Sequence, residues 1–167
     1  MTAALGIDLG ERRVGIALAE DGAFSARPLT TLRRGRDVQA DVVALRALID
    51  THGVTELVVG LPLEAAGQEG TQATITRTWV GAVEATLDRE VRITFRDERL
   101  SSYLAETRLG PMRRGRSGGP PTKHQRDTYR ARVDREAAAI ILQDELDTRR
   151  GTNPALPRPP TSLETPS

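Results

Sequence analysis

The sequence predicts an α/β fold in which a mixed five-stranded sheet carries helices on both faces. Three strand-like segments come before any helical one, and each later strand is followed by a helix. The first two segments, residues 4–9 and 14–19, alternate apolar with small residues around a polar turn, which is typical of a hairpin. A hairpin followed by strand–helix alternation gives a sheet with both antiparallel and parallel neighbours.

The middle of the chain supplies a third strand, a helix and the strand expected near the centre of the sheet. Pro28 interrupts a weaker strand pattern over residues 23–31. Residues 37–52 have helical apolar spacing, and Gly53 is a stop signal. Residues 55–61 form a continuous apolar run, which is typical of a parallel strand buried on both faces.

The last third adds two helices and one strand before a final long helix. A helix is expected over residues 71–87, with Ile75 among its core positions, and a strand over residues 91–95. Ser101 is a suitable N-cap for a short helix. The final helix is expected to begin near residue 130 and to end near residue 148.

Length and composition favour one domain, residues 1–150, and a Pro-rich tail at residues 151–167 that we expect to be disordered. The 167 residues contain no Cys, which excludes a disulfide framework and a thiolate metal site. No run approaches the ~20 apolar residues of a membrane-spanning helix. No secretory signal begins the chain. We therefore expect a cytoplasmic protein that does not bind membranes.

The charge of the chain is unevenly distributed. Residues 108–132 carry seven Arg and one Lys against one Asp, a net charge of +7, while the whole chain carries only +1. Within this segment, residues 110–122 read as a loop rich in Gly and Pro. A basic segment on an otherwise acidic domain predicts a polyanionic partner, and the alternative is a solubilising loop.

Three carboxylates occupy positions that favour chemistry over solvation. Asp8 lies within a strand, on a face otherwise made of glycine. Asp97 and Glu98 end a later strand, and strand alternation allows at most one of them to face the same site. Asp134 shares a helical stripe with Ala137 and residues beyond it. The alternatives are that Asp8 caps backbone amides, and that Asp97 and Glu98 belong to an acidic loop or Asp97 pairs with an arginine beside it. We expect Asp134 to open the last helix, and the alternative there is that its charge only complements the helix dipole.

Carboxylates that converge without His or Cys favour the hard cations Mg²⁺ and Mn²⁺. Two such ions can hold both the attacking and the leaving oxygen of a phosphodiester. Stacking of bases has few candidates, because the chain contains only two Tyr, two Phe and one Trp. Tyr103 and Tyr129 are the best placed of these, and we expect both to be packing residues.

Four segments together resemble the motifs of the YqgF/RuvX family, in the same order along the chain. They are GIDLGERRVGIA at residues 6–17, VVGLP at 58–62, DERLSS at 97–102, and VD at 133–134 followed by AAAIIL at 137–142. The resemblance implies an RNase H-like fold related to the Holliday-junction resolvases. It also makes Asp8, Glu98 and Asp134 the catalytic, metal-binding acids. RuvC-type resolvases have an acid at the end of the fourth strand, where this chain has Gly60-Leu61-Pro62, so Glu98 is the expected substitute.

We therefore predict a nuclease, dependent on Mg²⁺ or Mn²⁺, that acts on structured nucleic acid. The resemblance points to 5′-end maturation of the 16S ribosomal RNA precursor. Two alternatives remain open: resolution of branched DNA, which a homodimer rather than a monomer would perform, and a non-catalytic role as an RNA-binding factor in ribosome assembly or transcription. An ATP-binding domain of the actin type is disfavoured, because that fold needs two duplicated halves. The expected phosphate contacts are Arg12, Arg13, Arg99, Arg113, Arg114, Arg116 and Lys123.

Overall fold

Five strands and four α-helices make up the part of the chain that the computed structural model describes, residues 2–151. All of the tail expected at residues 151–167 except its first residue lies outside the described residues. The strands are β1 (Ala3–Leu9), β2 (Arg13–Ala19), β3 (Arg27–Arg33), β4 (Val54–Leu61) and β5 (Arg92–Asp97). The helices are α1 (Val38–His52), α2 (Thr71–Thr86), α3 (Ser101–Leu109) and α4 (Lys123–Arg149).

The strands form one sheet in the order β3-β2-β1-β4-β5. β1 pairs antiparallel with β2, and β2 pairs antiparallel with β3. On its other side β1 pairs parallel with β4, and β4 pairs parallel with β5. The mixed five-stranded sheet is therefore confirmed, as is the RNase H-like arrangement that the resemblance implies. Because the parallel strands β1, β4 and β5 are adjacent, their carboxyl ends meet at one edge of the sheet.

The two faces of the sheet are packed with side chains of very different size. One face carries large apolar residues such as Leu5 and Ile7, which are fully buried under α1 and α2. The other face carries small residues such as Ala4 and Ala17, and α4 crosses it. α3 packs on the far side of α4, through Ala105. Helices thus cover both faces, as expected, but only one face holds a bulky core.

Glycines allow α4 to lie directly on the sheet. A Cβ on Gly6 would come 2.5 Å from the carbonyl oxygen of Ala138, and a Cβ on Gly15 would overlap the carbonyl group of Asp134. Backbone contacts of this kind cannot relax by rotating a side chain. The sequence requirement on this face is therefore the absence of side chains at positions where α4 crosses β1 and β2.

The final helix begins seven residues earlier than the sequence pattern indicated. Thr122 accepts a hydrogen bond from the backbone N–H of Gln125, whose side chain in turn accepts one from the backbone N–H of Thr122. This capping box fixes the start of α4 at Lys123. The expectation that Asp134 opens the helix is therefore wrong, because Asp134 lies in its interior. The first turns were missed because they are polar and exposed, with no apolar stripe to mark them.

Three smaller expectations also fail for physical reasons. Pro28 does not interrupt β3, because β3 is an edge strand and a register shift lies opposite it. Ser101 is not the N-cap of α3: Leu100 holds that place, and the Ser101 hydroxyl donates a hydrogen bond to the Glu98 carbonyl. Ile75 is 44% exposed rather than part of the core.

The carboxyl end of α4 is fastened to the sheet by an ion network. Arg149 donates hydrogen bonds to the buried carboxylate of Glu56 and to Glu145. Arg149 thereby lowers the pKa of Glu56, although burial acts in the opposite direction. Arg96 of β5 pairs with Asp144 in the same region. No helix within residues 2–151 combines the length and apolar character needed to cross a membrane.

We expect the substitution Gly15→Ala to lower the free energy of unfolding by about 1–3 kcal/mol or more, because the new methyl group forces α4 away from β2. Urea denaturation measures the effect. The matched control is Gly81→Ala, at an exposed position in α2 with open space around it. This control should stabilise the protein by about 0.5–1 kcal/mol. Equal stability of the Gly15→Ala variant and the wild type would contradict the close packing of α4.

Candidate active site

The carboxyl groups of Asp8 and Glu98 meet at the edge where the parallel strands end. Asp8 lies on the side of β1 that faces α4, and Glu98 directly follows β5. β4 runs between these strands, and Gly60 is its residue at this level. A Cβ on Gly60 would lie 2.5 Å from Glu98 Oε2. The missing side chain therefore leaves the space in which the two carboxyl groups come close enough to affect each other's pKa.

Burial gives both carboxyl groups raised pKa values. For Asp8, burial raises the pKa to about 6, with the hydrogen bond to Glu98 opposing the shift and the charge of Asp134 adding to it. For Glu98, burial raises the pKa to about 9, and the neighbouring charge of Asp8 adds to that shift. Both side chains are partly buried, and two such carboxyl groups close together favour keeping one proton between them. We therefore expect the pair to hold a proton in neutral solution when no cation is bound.

Asp134 is the third acid at this place, and it is engaged by an arginine. Its charge acts on Asp8, so the two side chains are near each other. Asp134 Oδ2 accepts a hydrogen bond of 2.6 Å from Nε of Arg13, the first residue of β2. Both side chains are about three-quarters buried. The structure thus brings all three predicted acids to one end of the sheet, with one of them neutralised by Arg13.

Asp97 takes a different environment from its neighbour Glu98. It is at the surface, where Arg99 donates hydrogen bonds to it from both side chain and backbone. Although partial burial acts to raise the pKa of Asp97, these bonds from Arg99 hold it below its usual value. Arg99 also donates to the carbonyl of Ala65, which ties the loop after β4 to the end of β5. Strand alternation thus places Glu98 inside and Asp97 outside.

The site offers donor atoms of the kind that hard cations prefer. Its donors are carboxylate oxygens, and Glu98 Oε2 is buried without a hydrogen-bond donor among the described residues. An acceptor left in this way is costly unless a cation or a proton satisfies it. Within residues 2–151, no three Asp, Glu, His or Cys side chains form a ready-made metal site. Asp8 and Glu98 would hold a cation, and Asp134 could join them only after separating from Arg13.

The predicted phosphate-binding residues fall into three groups. Arg12 is exposed in the β1–β2 turn, next to Arg13 at the acidic centre. Arg99 is bound to Asp97 and to the loop after β4, although its side chain stays partly exposed. The remaining four are exposed, and none makes an ion pair within the described residues: Arg113, Arg114, Arg116 and Lys123.

Arg130 belongs to the site but was not predicted. It lines a cleft of about 340 Å³ together with Arg12, Arg13 and Asp134. Arg130 precedes Asp134 by four residues, so both lie on one side of α4. The four-residue spacing could have indicated from the sequence that Arg130 lies beside Asp134. It was hidden because the helix was expected to begin at residue 130 and not seven residues before it.

The two tyrosines have different environments. Tyr129 is half-buried against α3, and its hydroxyl donates a hydrogen bond to the carbonyl of Gly110, which fits the packing role expected for it. Tyr103 is 68% exposed, so the expectation that it packs is wrong. The periodicity of α3 gives little warning of this, because the helix is short and only Ser101 and Ala105 are buried.

Comparison with known proteins gives consistent matches over the described domain. The model of the family "RuvX: Holliday junction resolvase" matches residues 2–148. A protein of Anaeromyxobacter dehalogenans named as a pre-16S rRNA nuclease is 41% identical over 145 residues, which cover 87% of this chain and 96% of that protein. A protein of Chloroflexus aggregans with the same name is 39% identical over 146 residues, or 87% of this chain and 94% of that protein.

Among solved structures, the chain is similar to RuvC of Thermus thermophilus in complex with a Holliday junction substrate. The sequence identity is 14% and the TM-score is 0.48, with 91% of this chain and 98% of that chain covered.

We expect the substitution Glu98→Gln to stabilise the protein at alkaline pH in the presence of a chelator. Folded Glu98 keeps its proton up to about pH 9, whereas the unfolded chain loses it above its ordinary value of 4.5. The folded state therefore becomes less stable as the pH rises between these values. Thermal melting measures this effect. As the pH rises from about 5 to about 8, the melting temperature of the wild type should fall more than that of the variant.

Asp97→Asn is the matched control for this experiment, because Asp97 is the neighbouring carboxylate and its pKa is lowered. The control should follow the wild-type dependence on pH over this range. Parallel melting curves for the wild type and Glu98→Gln would show that Glu98 is not a buried, protonated group.

Proposed function

The chain belongs to the RuvX family and is a nuclease, and we propose that it hydrolyses phosphodiester bonds at the Asp8–Glu98 pair with the help of a divalent cation. The observation that carries this proposal is the pair itself. Two partly buried carboxyl groups with raised pKa values lie together where the parallel strands end, and Glu98 Oε2 has no hydrogen-bond donor within residues 2–151. A metal-dependent nuclease needs carboxylates that lie close together and are shielded from water. These carboxylates must also be able to lose a proton and bind a cation in its place.

Asp8 and Glu98 are the residues that would hold Mg²⁺ or Mn²⁺. A cation of this kind, when bound, neutralises charge on the phosphodiester and lowers the pKa of water. Before it binds, Glu98 must release the proton that it shares with Asp8. We therefore expect cation binding to release protons in neutral solution. Burial of the pair keeps its charge unscreened by water until the cation or the substrate arrives.

Arg13 couples the phosphate backbone to the third acid. In the protein alone, its guanidinium neutralises Asp134 at a distance of 2.6 Å. A phosphate group of the substrate offers Arg13 a second acceptor of the same charge. When Arg13 turns toward the phosphate, Asp134 is free to face Asp8. The cation site would then be completed by substrate, with two ions held by Asp8, Glu98 and Asp134.

The exposed basic residues are the phosphate-binding surface in this proposal. Arg12 and Arg130 lie beside Arg13 in the cleft next to the acids. The loop between α3 and α4 and the first residue of α4 add exposed cations that make no ion pair within the described residues: Arg113, Arg114 and Arg116 in the loop, and Lys123 in the helix. Such contacts give affinity that depends on salt and carries little sequence information.

The 16S ribosomal RNA precursor is the substrate that we propose, with cleavage at its 5′ side in the cytoplasm. Support comes from relatives named as pre-16S rRNA nucleases, which match 87% of this chain at about 40% identity. The description of the matching family favours branched DNA as the second candidate. The two candidates differ in assembly, because symmetric cutting of a junction needs two copies of the chain.

A cleavage assay with the purified protein separates these candidates. The substrates are a 16S precursor fragment extended at its 5′ end and a four-way DNA junction of similar length, each with Mg²⁺ or Mn²⁺. We expect cleavage of the RNA, and loss of this activity by orders of magnitude in Asp8→Asn and Glu98→Gln, because each removes a charge that would hold the cation. Asp97→Asn should lose far less. Binding of RNA without any cleavage would contradict the proposal.

The role of Arg13 is tested by cation binding instead of cleavage. In calorimetric titration with Mn²⁺ and no nucleic acid, Arg13→Gln should bind the ion more tightly than the wild type, by roughly fivefold or more, since Asp134 is no longer neutralised. Arg12→Gln is the control, because it removes the same charge from an exposed neighbour without freeing Asp134. If both variants gain affinity equally, the effect is one of net charge and Arg13 has no special role.

A further inference from the structure

A largely apolar groove lies beside Glu98, on the side where Asp97 and Arg99 pair with each other. It has a volume of about 720 Å³, which is in the range of sites for small organic ligands. Its walls come from the loop after β4, the start of α3 and the middle of α4. The residues lining it are Leu63, Ala65, Asp97, Arg99, Leu100, Ser101, Leu104, Ile140, Ile141 and Asp144.

The groove is continuous with the acidic centre. Ile141, part of its wall, brings Cδ1 to 2.5 Å from the position that a Cβ of Gly60 would occupy. Glu98 Oε2 lies at the same distance from that position. The carboxyl group of Glu98 and the wall of the groove are therefore neighbours. A nucleic-acid strand with a phosphate at the acids would place an adjacent nucleotide at the groove.

The chemistry of the groove suits the face of a nucleobase and not a phosphate. Arg99 is the one basic residue in its lining, and it is paired with Asp97, while Asp144 is paired with Arg96. The described residues of the groove therefore offer a phosphate no unpaired positive charge. Its apolar side chains are unusually exposed: Leu100 is 66% and Leu104 is 43% exposed. Exposed apolar surface of this kind in a concave site indicates a ligand that covers it.

Arg99 adds a flat surface to the groove. Its guanidinium is held in place by two bonds to Asp97 and one to the carbonyl of Ala65, while 41% of the side chain stays exposed. Unpaired bases are commonly bound on guanidinium planes and between apolar side chains. Because the polar groups are engaged with one another, the groove can bind the face of a base without selecting which base.

From these observations we propose that the groove binds an unpaired nucleobase of the substrate strand, beside the phosphate that is cleaved. The proposal rests on the proposed nuclease function and adds a requirement to it. The strand at the site must be single-stranded or must have a base turned out of its helix. A fully paired duplex cannot fill the groove.

The test compares two single-stranded probes in a variant that binds but does not cleave, Asp8→Asn in the full chain. One probe is oligouridylate, and the other is an abasic ribose-phosphate strand of the same length. We expect tighter binding of oligouridylate, by roughly tenfold. The added pair Leu100→Ala and Leu104→Ala should remove most of this preference and leave affinity for the abasic strand unchanged.

Val43→Ala is the matched control, because Val43 is an exposed aliphatic residue on α1, across the sheet from α4. It should keep the full preference for oligouridylate. Equal loss of affinity for both probes in the Leu100 and Leu104 variant would show that the groove binds backbone and would overturn the proposal. An unchanged preference for oligouridylate in that variant would also overturn the proposal. The exposed side chains of Leu100 and Leu104 would then be left for contact with a protein partner. If Asp8→Asn binds neither probe, nor the 16S precursor fragment and DNA junction, the proposed function itself fails.

Discussion

The absence of side chains on one face of the sheet is the constraint on which the site depends. Gly6 and Gly15 let α4 rest directly on β1 and β2, and Gly60 clears the space over β4. A methyl group at any of these positions would meet backbone atoms of α4 or the carboxyl group of Glu98. The same close packing holds Asp134 against β2 and lets Asp8 and Glu98 meet across β4. Packing and chemistry therefore impose the same requirement for glycine.

Close packing brings three acids together, and two interactions within the protein reduce the repulsion between them. Burial raises the pKa values of Asp8 and Glu98, which favours one proton on the pair, and Arg13 neutralises Asp134. Under the proposed function, a divalent cation would take the place of the proton, and a phosphate group would take the place of Asp134 as the partner of Arg13. The ion network around Glu56 and Arg149, by contrast, secures the far end of α4.

Much of the fold and the position of the acids could be predicted from the sequence, because both follow from short-range periodicity. The alternation of β1 puts Asp8 on the glycine face, and the stripe on α4 puts Asp134 on the buried side. The start of α4 could not be predicted, because its capping box precedes exposed polar turns. The pairing of Arg13 with Asp134 spans 121 positions of the chain and depends on how α4 crosses β2. Local patterns contain no information of that kind.

The surroundings of the acids differ on their two sides, and this difference bears on the path that a nucleic-acid strand would take across the site. On the side of the β1–β2 turn, the cleft is charged: it is lined by Arg12, Arg13 and Arg130 together with Glu11, Asp127 and Asp134. On the side of β5, the groove near Ile141 is apolar, and its charges are paired. A strand that crosses Glu98 meets charge on one side and an apolar surface on the other. Under both proposals, the backbone of a bound strand would face the turn and its bases the groove, and the two surfaces together would orient the scissile phosphate over the acids.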